Sequence, residues 1–441
     1  MDAVLTALDA PLKAIRATLE TRLKPVLTAV SHRIEMDEYL VYSTVLSVFL
    51  MQILIHKGVD IFLGYPIVVL NTALLFGQDR LLIHRNHALV VGSIAVISLI
   101  ASGNSSTPGF SIMAQVVGIL LFSVYFFSML TNFGLSVPRW MELYVKFALG
   151  IVVIGLAGYV ARRLHLLPQA KEMRLRSIYA EPSLFIYVTL PAFGIYANAF
   201  LRYRKYKLEL FLFFLAYVLA DSSLGFLGLL LIAFFAFLPR LSIWKMFGFG
   251  FLAFSAFAGL FFVSANFRLR VVDTVIGIVR MNFAHVNAST FAVLSNAYVT
   301  IQTFLSHPFI GVGIGGYQYA YLKYVPVIST DLDDPNLVTL NMFDASSLFF
   351  RAAAEMGLVG LIGLIGFLIV CSRVRGDQHV DIRNALMPYF LVRMGRYGAW
   401  FSLELFFFVG LFLLNYLHSR ARYGKARTIA HAPLPEAPAS I

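Results

Sequence analysis

The chain has 441 residues, of which 59% are hydrophobic and only 13% charged, whereas a soluble globular protein lies near half apolar and a quarter charged. That balance excludes a core organised by water. The formal net charge of +12 reads as basic loops against anionic lipid on the cytoplasmic side, not as a nucleic-acid footprint. The single cysteine, Cys371, excludes an intrachain disulfide and a thiolate zinc site.

Residues 1–38 are too charged, and run too long before the first apolar stretch, to be a secretory signal. They predict an amphipathic segment on the cytoplasmic leaflet. Apolar runs then recur at 39–56, 59–76, 87–102, 109–132, 140–161, 181–201, 208–222, 224–239, 243–263, 347–370 and 397–417. Only helices or closed barrels satisfy their backbone groups in lipid, so the expectation is an all-α polytopic membrane protein with about 11–12 transmembrane helices. Ser222 and Ser223 mark a tight turn between two short spans, and 384–394, interrupted by Pro388, is too short to cross alone. Domains follow as spans one to nine over 39–263, a large outer loop over 264–346, further spans over 347–417 and a disordered Ala/Pro-rich cytoplasmic tail over 418–441.

Arg80 and Arg85, the LRYRKYK loop at 201–207, and Arg373, Arg375 and Arg383 fall on one side if the spans alternate, and their excess makes that side cytoplasmic. The C-terminal RYGKAR joins them only if the segment near 390 helps to cross. Two outer segments break the pattern. One, 161–183, carries Arg162, Arg163, Lys171, Arg174 and Arg176; the other, 264–346, carries Arg268, Arg270 and Arg280, with Arg351 one turn into the span after it. At about 80 residues the second is far longer than a connection requires. It has helical stretches at 268–281, 288–306 and 313–325.

Guanidinium groups are rigid forks of donors that match phosphate oxygens, so these arginines suggest a phosphate-rich ligand with its head group outside and its tail in the bilayer. Arg270 and Arg280 can approach one side of a helix, and Arg351 at the water–lipid boundary predicts either a cavity or an acidic partner such as Glu355 at i+4. Glu181 opens the sixth span with Pro182 in the first turn, either as a helix start or as a carboxylate facing an arginine or a hydroxyl. Asp331, Asp333 and Asp334 read as a solvated loop, and Asp221 as the main acid within a span.

In SHPFIGVGIGGY, Gly311, Gly313 and Gly316 match the spacing G-x-G-x-x-G, but no strand leads into them, which excludes a dinucleotide loop. Instead the segment before them reads as an amphipathic helix ended by Pro308, and Gly311, Gly313, Gly315 and Gly316 predict unusual dihedrals and close backbone approach. His285 and His307 are sugar-binding or base candidates. Tyr317, Tyr319, Tyr321 and Tyr324 are interfacial anchors or faces for sugar rings.

This stretch, followed some 30 residues later by ASSLFFRAAAEMGLVG, resembles the bacterial O-antigen ligase/polymerase superfamily. The likeness is clearest over 264–370 and extends to RLRSIYAEPSLFIYVTLPAFGIYA at the sixth span. His307-Pro308 through Gly313 matches the family's glycine stretch, and Gly357 and Gly360 its paired glycines. Ligases of the family keep a histidine eleven residues before the first paired glycine; here that position is Ser346, followed by Ser347, which favours the polymerase side.

The resemblance implies an inner-membrane protein whose active site faces the periplasm. The implied reaction is metal-independent inverting transfer between undecaprenyl-diphosphate-linked donor and acceptor glycans, with no cofactor. Its implied partners are those lipid-linked glycans, membrane lipid and a chain-length regulator protein. On that basis Arg270 and Arg280 act with Glu181 or Asp273 as catalytic groups, with Asp344 an alternative base. Arg174, Arg176, Arg268 and Arg351 hold the diphosphate, and Ser346, Ser347, His285, Tyr317 and Tyr319 contact glycan. Glycan ligation to another acceptor, and lipid-linked glycan transport without chemistry, are the alternatives.

Overall fold

The computed structural model describes residues 36–430 apart from 52, 57–59, 84, 104–106, 167–173, most of 238–287, and 329–334. The expected helices at 1–38 and 268–281 and the span at 243–263 therefore lie wholly or mostly outside the described residues, as do Asp331, Asp333 and Asp334.

The described chain is helical apart from one hairpin. It runs α1 (Met36–Leu50), β1 (Leu54–His56), β2 (Asp60–Phe62), α2 (Gly64–Gly77), α3 (Arg85–Gly103), α4 (Gly109–Asn132), α5 (Val137–Arg163), α6 (Pro182–Tyr203), α7 (Lys207–Ala220) and α8 (Ser223–Phe237). It continues through α9 (Ala288–Ser306), α10 (Tyr317–Tyr324), α11 (Leu348–Ser372), α12 (Asp377–Arg396) and α13 (Leu403–Ala430). Among the described residues α4, α5, α6 and α11 are long and apolar enough to cross a membrane by themselves. The fold is a multi-pass, all-helical membrane bundle with helical loops outside the spans.

Three expectations from the sequence are corrected. The run 39–56 is not one helix: α1 stops at Leu50, and Leu54–His56 pairs antiparallel with Asp60–Phe62 in the register Leu54↔Phe62. An open two-stranded ribbon cannot sit in hydrocarbon, so the hairpin marks a surface end of the bundle. The segment near 390 belongs to α12, a helix of 20 residues, long enough at about 1.5 Å per residue to run the bundle's length. Finally, α13 continues to Ala430, through the start of the segment whose composition predicts a disordered tail.

The path of α12 settles the direction of the last helices. At its start, Arg202 from the end of α6 meets Asp377 at 2.6 Å and Asp381 at 2.9 Å. Toward its end, the Ser347 hydroxyl donates to the carbonyl of Met394, and in the linker beyond it Arg351 Nη1 donates to the Gly398 carbonyl at 3.3 Å. Helix α13 then returns, with Asn415 Nδ2 donating to the His379 carbonyl at 2.9 Å and the Arg375 amide to Ser419 Oγ at 2.7 Å. The α12 helix thus runs antiparallel to both α11 and α13, and the chain past Ser419 lies at the end that holds Arg202. This is the basic end; the opposite one, with the hairpin and the long connections, is the loop end.

Polar residues spoil α12 as a lipid-facing helix, yet Asn384, Tyr389 and Arg393 are buried because α6, α8, α11 and α13 surround it. The main core interlocks aromatic rings across these helices, as in Tyr389–Phe408 at 4.6 Å and Tyr144–Phe408 at 5.1 Å between centroids. A smaller core of Val299, Tyr317, Tyr321, Ala345 and Ala354 lies under the 288–354 region.

Helix α11 is broken at Gly357, where φ is 59° and ψ −146°. The glycine turn fills the break. Val312 N donates to the Ala354 carbonyl at 3.0 Å and Gly313 N to that of Glu355 at 2.9 Å, while Leu358 N and Val359 N donate to Pro308 and Phe309 carbonyls at 2.8 and 3.1 Å. Backbone groups freed by a helix break must find partners at membrane depth, and here the chain supplies them. Gly311, Gly313 and Gly315 have φ of 67°, 87° and 82°, as expected for the turn; Gly316 does not share them, having an ordinary helical φ of −84° as the cap of α10, which starts only at Tyr317. A Cβ on Gly357 would lie 2.6 Å from the Phe309 carbonyl carbon and 2.7 Å from the Pro308 oxygen. We expect Gly357→Ala to destabilise the protein by ~1–3 kcal/mol, the cost of holding a side chain in a backbone region that essentially only glycine occupies, with the clash adding to it. Gly363→Ala, six residues on with open space around its Cβ, should be neutral or stabilising. Thermal unfolding in detergent of both variants checks this; equal midpoints would contradict it.

Candidate functional site

At the loop end two clefts open. The first, about 330 Å³, is lined by Ile53, Arg162, Arg176, Ser177, Ile178, Tyr179 and Ala180. Its arginines come from the last turn of α5 and from the segment that returns to α6. That segment is pinned: Leu175 N donates to the Leu219 carbonyl at 2.9 Å, and Ser177 Oγ to that of Ile151 at 2.8 Å. Arg176 Nη1 donates to the Ala180 carbonyl at 3.2 Å, which fixes the guanidinium while leaving other N–H groups for a ligand. The Tyr179 hydroxyl is buried and has no hydrogen-bond partner among the described residues. Burial raises its pKa, so it stays a neutral O–H donor.

The second cleft, about 470 Å³, lies between the end of α3, the end of α9 and α10, with Thr107, Thr303, His307, Tyr319, Lys323 and Tyr324 in its wall. Its floor is the glycine turn at Val312 and Gly316.

Beneath the loop end sits a buried charge network. Arg351 Nε donates to Glu355 Oε1 at 3.2 Å, the i+4 partner expected from sequence, and its guanidinium lies 5.9 Å from the Trp400 ring centroid. Trp400 Nε1 donates to Glu355 Oε2 at 2.6 Å, and the Tyr317 amide reaches Glu355 Oε1 at 3.4 Å. Glu355 thereby ties α11, the glycine turn and the α12–α13 link together. A second pair, Arg393–Glu404 at 3.1 Å, is fully buried, with Arg393 also donating to the Tyr389 hydroxyl at 3.1 Å.

Asp344 stands half-buried beside this network, accepting from the Ser346 amide at 3.0 Å. Burial raises its carboxyl above the ordinary carboxylate range, against the opposing charges of Arg351 and Arg393. Ala345 and Ser346 both have φ of 59°, and the buried Ser346 hydroxyl has no partner among the described residues. Ser347 caps α11, accepting from Phe350 N at 3.2 Å.

The structure brings Arg176 together with Arg162, and Arg351 together with Ser346, Ser347 and Asp344. Glu181 is exposed at the start of α6, where Ser183 Oγ donates to it at 2.9 Å. Arg174 is half-buried and does not line the arginine cleft, and Arg268 is exposed on a helical position. Tyr317 is fully buried, its hydroxyl donating to Asn296 Oδ1 at 2.7 Å, whereas Tyr319 lines the larger cleft. Arg270, Asp273, Arg280 and His285 lie outside the described residues. Asp221, read from sequence as an acid within a span, instead ends α7 in an exposed left-handed turn, so the expected turn at Ser222 is present. Sequence reasoning passed over Trp400, Arg393, Glu404 and Lys323, which no spacing rule links to the other groups.

Among the described residues no group of three or more His, Cys, Asp or Glu side chains could hold a metal ion. No protein-family model matches the chain, and no curated protein matches it.

Proposed function

We propose that this protein is a glycosyltransferase that polymerises lipid-diphosphate-linked repeat units at the loop end of the bundle. The observation that carries the reading is the cleft in which Arg162 and Arg176 stand together beside an apolar membrane bundle. Placed donors of that kind suit a diphosphate head group whose polyprenol tail remains in lipid. The sequence resemblance supports the same chemistry, and Ser346 at the ligase-histidine position favours polymerase over ligase.

In the proposed step the acceptor hydroxyl oxygen forms a bond to the anomeric carbon of the donor from the face opposite the leaving group. The carbon–oxygen bond to diphosphate breaks, its electron pair stays on the diphosphate, and the hydroxyl proton passes to a carboxylate. Diphosphate is already a good leaving group, so the main task is to stabilise the charge that grows on it. Asp344 is the carboxylate we favour for the proton: it is half-buried beside two buried arginines and an unpartnered serine hydroxyl.

The break in α11 is similar in kind to the discontinuous helices that form transporter sites. Here, however, the glycine turn already satisfies the amides and carbonyls flanking the break, which leaves them unavailable to a cargo.

The test is to give purified protein a defined undecaprenyl diphosphate oligosaccharide and resolve the products by length. A ladder of repeats is expected. Its rate should rise with pH through a midpoint above the usual carboxylate range, because a base works only when ionised and burial disfavours the Asp344 anion. Asp344→Asn should remove that dependence together with most turnover. A single transfer to a foreign acceptor, or movement of the donor between leaflets without covalent change, would overturn the polymerase reading.

A further inference from the structure

The larger cleft is not needed to hold a diphosphate, and its lining differs from that of the arginine cleft. Its volume of about 470 Å³ falls in the range of about 300–1,000 Å³ used by small-molecule sites. Among the described residues no acidic side chain lines it, while Lys323 places an ammonium group on its wall. That ammonium lies 5.0 Å from the centroid of the Tyr324 ring, and the Tyr324 hydroxyl is 3.0 Å from Ser306 Oγ, so the ring beside the charge is held in place. Thr303, in the last turns of α9, is buried with its hydroxyl donating to the Val299 carbonyl at 2.7 Å and so gives a fixed wall, and Tyr319 adds a half-buried aromatic surface.

The floor is equally fixed. Gly316 N donates to the Gly313 carbonyl at 3.0 Å, and Thr107 Oγ1 donates to the Val312 carbonyl at 3.1 Å. A Cβ on Gly316 would come within 2.6 Å of the Thr107 oxygen, so the backbone itself forms the surface. An aromatic ring, hydroxyls and backbone beside one cation and no anion suit a sugar ring that carries a carboxylate. The ring's C–H face packs on tyrosine, and its charge meets the lysine.

We infer that the cleft formed by Thr303, Tyr319, Lys323 and Tyr324 binds an acidic saccharide, a uronic-acid residue of the glycan, as a site separate from the arginine cleft. This deepens the polymerase reading and rests on its placing glycan at the loop end, because repeat-unit polymerisation requires a second glycan to be held beside the donor.

The test measures binding, not turnover. Full-length protein in lipid nanodiscs is titrated calorimetrically with a lipid-free uronic-acid tetrasaccharide and with a neutral glucan of the same length. The uronate is expected to bind about tenfold more tightly than the glucan, and Lys323→Gln should lower uronate affinity about tenfold while leaving glucan affinity unchanged. Lys323 is exposed, so the variant should fold, and an unchanged melting midpoint confirms it. Lys323→Arg should keep the preference. Equal affinity for the two saccharides, or a uronate preference abolished by Arg162→Ala/Arg176→Ala and untouched by Lys323→Gln, would overturn the inference. Uronate binding without any polymer ladder would instead sink the polymerase reading and leave the acidic-sugar site standing.

Discussion

Replacing both Arg162 and Arg176 with alanine is expected to lower glycan transfer by about 10²–10³-fold, the loss typical when a placed donor to developing negative charge is removed. The reasoning is geometric. Arg176 is held by its bond to the Ala180 carbonyl at 3.2 Å, within a segment tied to α5 and α7. Its charge is therefore in position before any ligand arrives, and no reorganisation is required as the leaving group ionises. Stability should change little, because partly exposed charges contribute weakly to folding. The loss should fall more on kcat than on KM, since the charge on the diphosphate is larger in the transition state than in the bound donor. Lysine at either position should recover only part of the rate: it keeps the charge and loses the two-pronged geometry. Initial rates on a defined lipid-linked donor, with Arg373→Ala at the basic end as control, make the comparison. A double variant with normal turnover would remove the arginine cleft from the mechanism.

What could be read from the chain depended on whether a feature was local. The Arg351–Glu355 pair is an i,i+4 contact on one helix, and Pro182 and the left-handed glycines are rules about single residues; all were legible. Helix α12 was not. Its hydropathy is spoiled by Asn384 and Arg393, and only burial by four neighbouring helices explains how such a sequence runs through the bundle. The hairpin's strands are only 3 residues each, too short to show in a window long enough to find membrane spans. Arg162 and Arg176 are 14 residues apart and line one cleft, with Ser177, next to Arg176, tied back to the Ile151 carbonyl of α5. The same holds for Trp400 meeting Glu355 across 45 positions, a contact made by the α12–α13 link.

Glu355→Ala should cost about 3–5 kcal/mol of stability, the usual consequence of leaving one member of a buried ion pair uncompensated. Glu355 is wholly inaccessible and Arg351 nearly so. Removing the carboxylate would strand the guanidinium, the Trp400 N–H and the Tyr317 amide together. Glutamine is not a conservative choice here. Its single carbonyl oxygen can accept from one side, and its NH2 group would then face a second donor across the site. Replacing the pair together, as Arg351→Met/Glu355→Leu, removes both charges and should recover a large part of the loss in a double-mutant cycle read by unfolding in mixed micelles. Recovery of stability need not bring recovery of turnover. Glu355 holds the α11 segment that receives the glycine turn, and that turn floors the larger cleft. A Glu355→Ala protein as stable as the parent would show that the pair is not buried in the membrane-embedded protein, and the turn would then need another anchor.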